Sequence, residues 1–181
     1  MKYTGFDGVA AHKLPGTERF VELCRKHHGF ANFGTLNVRL MRSAPKGTKP
    51  NDPKWMSIHA TGRALDISFG KENLNMPEGH HQDVARAFME WCVKNYKTLG
   101  IEEIHDYRGL TKKGCEKWGR GWRCARAGGK PGWKDWTETE NGGTPGAWWI
   151  HIELTPAMAK DDTAVELAWK GLPRAVWNAA P

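Results

Sequence analysis

Apolar positions along the chain recur with two periods, and glycines and prolines mark where one gives way to the other. From about Glu18 to His28, the residues Phe20, Val21, Leu23 and Cys24 form one stripe, with Thr17 placed to cap a helix and Gly29 to end it. Between Asp83 and Tyr96, the residues Val84, Ala87, Phe88, Trp91 and Cys92 follow the i, i+3, i+4 pattern of a helix packed on a sheet, with Gly100 as its stop. A third helix is predicted over Thr163 to Lys170, closed by Gly171 and Pro173, after the cap-and-first-turn signal Thr155-Pro156. The tail beyond it offers Val176 and Trp177 for docking but no chemistry.

Four stretches alternate instead with period two. Leu36, Val38 and Leu40 alternate with Asn37, Arg39 and Met41, which predicts a strand over residues 35–41. In Ala64-Leu65-Asp66-Ile67-Ser68 the apolar side is Leu65 and Ile67, so Asp66 projects from the open face. Ile101 to Tyr107 carries Glu103, His105 and Tyr107 on one face. In Trp148 to Leu154, the residues Ile150, Ile152 and Leu154 back a front of Trp149, His151 and Glu153.

The length of 181 residues fits one domain with a real core. The formal charge of +7 and pI near 9.3 direct attention to anionic partners, namely nucleic acid, acidic membrane or cell wall. Much of that charge falls between Arg108 and Lys134, interleaved with Trp118, Trp122 and Trp133 and followed by Trp136. This predicts a basic, Trp-rich loop insertion over about 108–136 that follows an anionic polymer, either single-stranded nucleic acid or wall glycan, or else is a solvated flap. No apolar run has transmembrane length, and the first residues lack the pattern of a signal peptide, so a soluble product of the cytoplasm is expected.

Cys24 and Cys92 read as buried thiols, while Cys115 and Cys124 leave open either a bridged loop or free thiols. His27 and His28 fit the negative end of a helix better than a metal. His80 and His81 read as solvated residues of the loop before the second helix.

The concentrated chemistry lies in Ser57-x-His59-x-x-Gly62-x-Ala64-x-Asp66. His59 and Asp66 suit a borderline cation such as Zn²⁺, with Gly62 letting the backbone turn between them. His151, on the front of its own strand, is the third candidate ligand, and three protein ligands leave one position for water, as in a catalytic zinc site. Arg39 and Arg42 stand at the entrance, where a guanidinium grips a substrate carboxylate or joins a surface ion pair. His105 is a helper of the site or a polar edge residue.

That motif, followed much later by Trp149-x-His151, resembles the zinc peptidases that cut D-alanyl or L-alanyl-D-glutamate bonds in peptidoglycan, a group that includes carboxypeptidases, murein endopeptidases and phage endolysins, with the Hedgehog domain as a structural cousin. The resemblance covers about residues 35–155. It implies an α+β fold in which a small antiparallel sheet, flanked by helices, carries zinc on His59, Asp66 and His151, with Ser57 and Arg39 supporting the site or substrate. Such enzymes place a proton acceptor two or three residues before the last histidine ligand, where this chain has Trp149 and Trp148. The acid then falls to Glu153 or, second, to Glu140, with His105 helping the oxyanion. The expected function is hydrolysis of peptidoglycan stem peptides by a lysin released without an export signal of its own. The alternative is a zinc-containing wall-binding domain that does not cleave, and nucleic acid is the weaker partner.

Overall fold

The computed structural model describes residues 1–70, 80–138, 140 and 146–173; Val176 and Trp177 lie outside them. The fold is α+β. Six strands, β1 (Ala31–Gly34), β2 (Ala64–Ser68), β3 (Ile101–Asp106), β4 (Arg120–Arg123), β5 (Gly132–Asp135) and β6 (Trp149–Leu154), form one antiparallel sheet in the order β1-β2-β6-β3-β4-β5. The helices are α1 (Pro15–His28), α2 (His80–Lys94), α3 (Tyr96–Leu99), α4 (Pro156–Lys160) and α5 (Asp162–Lys170). No helix among the described residues is long and apolar enough to cross a membrane.

Alternation decides which face of the sheet does what. Leu65, Ile67, Ile104, Trp122, Ile150, Ile152 and Leu154 join the stripes of α1 (Phe20, Val21, Leu23, Cys24) and α2 (Val84, Ala85, Phe88, Met89, Cys92) in one buried core. Burying each of these larger side chains contributes about 1.5–3 kcal/mol, so the core fixes which way every strand faces. Asp66, His151 and His105 are consecutive partners across β2, β6 and β3, and therefore form a single row on the opposite face. Glu153 and Glu103 make the row on one side of it, and Trp149 lies on the other side, two residues from His151. The register slips between Ile101 and Glu103, where two residues of β3 oppose one of β6, so Ile101 stays on the core side.

The structure corrects several expectations. Residues 35–41 are no strand: Leu40 makes only an isolated bridge to Met56, and β1 lies upstream. Its alternation is not matched by burial, since Val38 is half exposed, and its backbone makes scattered hydrogen bonds to residues 55–59 rather than a ladder. His80 and His81 open α2 instead of preceding it, and His81 is buried. Part of the stretch expected as a loop is the β4–β5 hairpin, which extends the sheet from β3. Several of its cations pair internally, Lys112 and Arg120 with Asp135, Lys134 with Glu140 and Arg123 with Glu103, whereas Lys113, Lys117 and Lys130 are exposed. All four cysteines are buried free thiols, so Cys115 and Cys124 do not bridge. His28 packs against Phe30, Phe88 and Trp169, and burial lowers its pKa to about 3, which makes it a neutral core residue.

Candidate metal centre

Each part of the Ser57-to-Asp66 motif has a local structural cause. Ile58–Thr61 form one 3-10 turn; the Ser57 hydroxyl accepts from the His59 N–H at 3.3 Å at its start, and Gly62 ends it in the left-handed region at φ 72°. His59 is thus carried on a turn capped at both ends. A Cβ at Gly62 would also meet Leu14 at 3.0 Å. The chain then enters β2 and presents Asp66 beside His151.

The three side chains meet. His59 Nε2 lies 3.2 Å from Asp66 Oδ2, and His151 Nδ1 lies 2.9 Å from Asp66 Oδ1. Their remaining nitrogens are held from behind. His59 Nδ1 is 2.9 Å from the Thr35 carbonyl, which can only accept, so that nitrogen carries a proton and Nε2 is the atom left to face Asp66. His151 Nε2 is 3.2 Å from Glu153 Oε1, which fixes that nitrogen as the donor and aims Nδ1 at Asp66. Backing each ligand imidazole with an acceptor sets its tautomer and orientation, as in histidine-rich metal sites.

The electrostatics point the same way. Burial opposes the charge on Asp66, but hydrogen bonds from His151 and His59 outweigh it and hold the carboxyl well below its usual range. Burial alone would depress His151, yet hydrogen bonds to Asp66 and Glu153 raise it to about 10. A cation is therefore strongly favoured between these groups, supplied either by the His151 proton or by a metal that replaces it at Nδ1. The donor set of two imidazoles and a carboxylate, with ligand atoms within 4.8 Å of one another, fits Zn²⁺.

A second grouping, His105, His151 and Glu153, also brings ligand atoms together. Its one carboxylate and the neighbouring Glu103 already have other partners. Glu153 Oε2 accepts from the Tyr3 hydroxyl at 2.9 Å, and Glu103, beside His105 at 3.2 Å, is clamped by Arg123 at 2.7–3.0 Å. Burial opposes ionisation of Glu103, but His105 and Arg123 bring it down to about 2. Burial and the Glu153 charge push the Tyr3 hydroxyl far above the ordinary tyrosine value, which keeps it a donor. These contacts make a hydrogen-bonded scaffold behind His59, Asp66 and His151.

His59, Asp66, His151, His105, Glu103 and Glu153 line one cleft of about 400 Å³. Arg39, Arg42 and Ser57 line it as expected, with Lys54 beside them. His105 lies 4.7 Å from the His151 ring, its Nδ1 3.1 Å from the Tyr107 hydroxyl. Trp136 packs edge-on against His105 at 4.9 Å. Glu153 sits behind His151, with both carboxylate oxygens engaged, and Glu140 at the rim is bound by Lys134 and Thr137. Tyr3, Thr35, Glu103 and Arg123 were not expected in the site. Only Glu103 had a signal, the strand face it shares with His105.

No family model matches the chain, and no curated protein or solved structure matches it.

Proposed function

We propose that the chain is a zinc-dependent hydrolase whose metal is held by His59, Asp66 and His151. The observation that carries this reading is the convergence of His59 Nε2, Asp66 and His151 Nδ1, each imidazole backed by an acceptor on its other nitrogen. More particularly, it is a peptidase of peptidoglycan stem peptides, similar to the Hedgehog-like D-Ala-D-Ala and L-alanyl-D-glutamate peptidases, and acts on the bacterial wall as a lysin does. The motif from Ser57 to Asp66 and the later strand bearing His151 support that assignment.

Bound zinc supplies Lewis acidity for the scissile carbonyl and lowers the pKa of a water towards neutrality. The chain supplies the rest. His105 lines the cleft and faces Glu103 through Nε2 at 3.2 Å and the Tyr107 hydroxyl through Nδ1 at 3.1 Å, and it is the residue to which we assign proton transfer. Glu153, with both oxygens occupied, orients His151 rather than acting as the base. Arg39, Arg42 and Lys54 make one side of the cleft cationic and suit a peptide carboxylate. The exposed Lys113, Lys117 and Lys130 suit contact with anionic wall polymer.

One observation favours a second reading, a zinc-holding wall-binding domain that does not cleave: the four carboxylates lining the cleft, Asp66, Glu103, Glu140 and Glu153, all have partners. Purified peptidoglycan separates the two. The peptidase releases new amino termini in a zinc-dependent manner that chelation and His59→Ala abolish, whereas the binder sediments with the wall and releases none.

A further inference from the structure

Resting on the zinc reading of the centre, we propose that Tyr3 is a positioning residue that fixes the imidazole of His151 through Glu153. Tyr3 belongs to an N-terminal segment without regular secondary structure, yet that segment is stitched down at several points. Thr4 Oγ1 donates to Glu102 at 2.6 Å, Arg63 Nε donates to Asp7 at 3.1 Å, and the Ala10 N–H donates to the Ala60 carbonyl at 2.8 Å. These contacts seat Tyr3 over the carboxylates behind the metal ligands.

Its hydroxyl donates to Glu153 Oε2 at 2.9 Å, and the other oxygen of the same carboxylate faces His151 Nε2 at 3.2 Å. Its ring also lies 4.0 Å from the Arg123 guanidinium, which grips Glu103, the partner of His105. One side chain therefore touches both chains of contacts that end in the cleft. Glu153 is almost fully buried, so a carboxylate that loses the Tyr3 hydroxyl gains no ready replacement from bulk water. It can then rotate, and the N–H that sets the direction of the His151 Nδ1 lone pair loses its fixed acceptor.

Tyr3→Phe keeps the ring and its contact with Arg123 and removes only the hydroxyl. The proposal expects zinc affinity to fall about 10–100-fold, as for loss of an orienting partner, and the absorption spectrum of the Co²⁺-substituted protein to change. Val165→Ala weakens the packing of α5 without touching the N-terminal segment, and its zinc affinity should stay at the wild-type value. Unchanged affinity and spectrum in Tyr3→Phe would overturn the proposal, as would an equal loss in Val165→Ala, which would trace the effect to general destabilisation. If the wild-type protein takes up no zinc, the reading of the centre fails. The link is then read in the metal-free protein by ¹⁵N NMR of His151: a protected Nε2–H that Tyr3→Phe loses supports it, and an unaltered signal refutes it.

Discussion

Asp66 and His151 stand directly opposite each other on β2 and β6, with Oδ1 2.9 Å from Nδ1. The pairing is a consequence of register, because Leu65 and Ile67 on one strand and Ile150 and Ile152 on the other are committed to the core, and a slip by one residue would bury the ligands. Asp66→Asn preserves shape and removes the charge that both histidines face. Its affinity for zinc should drop by more than about a hundredfold while the fold is retained, as read by a competition titration and circular dichroism. Full zinc retention would show that Asp66 is no ligand.

In the proposed centre a proton and zinc would compete for the same nitrogen. His151 has its folded-state pKa raised to about 10 from an ordinary 6.5, so in the metal-free protein its contribution to stability is fully present below 6.5 and is lost as pH rises through about 10. The melting temperature of the metal-free protein should accordingly fall between pH 7 and pH 10. Zinc binding at pH 8 should release about one proton, seen as a heat that varies with the ionisation enthalpy of the buffer. A buffer-independent heat would contradict the exchange.

Gly121 makes room for Trp136. A Cβ there would lie 2.7 Å from Trp136 Cζ2, and Trp136 is the ring against His105. Gly121→Ala should cost about 1–3 kcal/mol by overpacking and alter tryptophan fluorescence, with zinc content unchanged. Unchanged stability to urea would mean that Trp136 does not rest on this strand.

Arg63, immediately after the motif glycine, is 1% exposed and binds Glu102, which is equally buried, together with Asp7, the Gly5 carbonyl and the Leu154 carbonyl. Arg63→Met strands a buried carboxylate and should cost about 3–5 kcal/mol in denaturant titrations. A loss under about 1 kcal/mol would indicate that Glu102 finds its compensation in Thr4 alone.

The strands that matter for the site were legible because β2 and β6 alternate apolar core residues with polar front ones and β3 alternates Glu103 and His105 on its front, while α1, α2 and α5 follow their apolar stripes. The candidate ligands could be read because Asp66 and His151 interrupt otherwise apolar runs at front-facing positions. Residues 35–41 misled because alternation signals a strand only when one side is buried, and Val38 is not. The β4–β5 hairpin was hidden because its arginines and tryptophans serve as structural partners, Arg123 to Glu103 and Arg120 over Trp133. Tyr3 and Thr35 gave no local signal, since each acts through a contact made across a long stretch of sequence.

The most direct measurement is a crystal of the zinc-loaded protein with anomalous diffraction recorded at the zinc edge. The account predicts one peak within bonding distance of His59 Nε2, an Asp66 carboxylate oxygen and His151 Nδ1, with Glu153 still on His151 Nε2. A peak on the other side of His151, among His105, Glu153 and Nε2, or no peak in protein equilibrated with zinc, would contradict it.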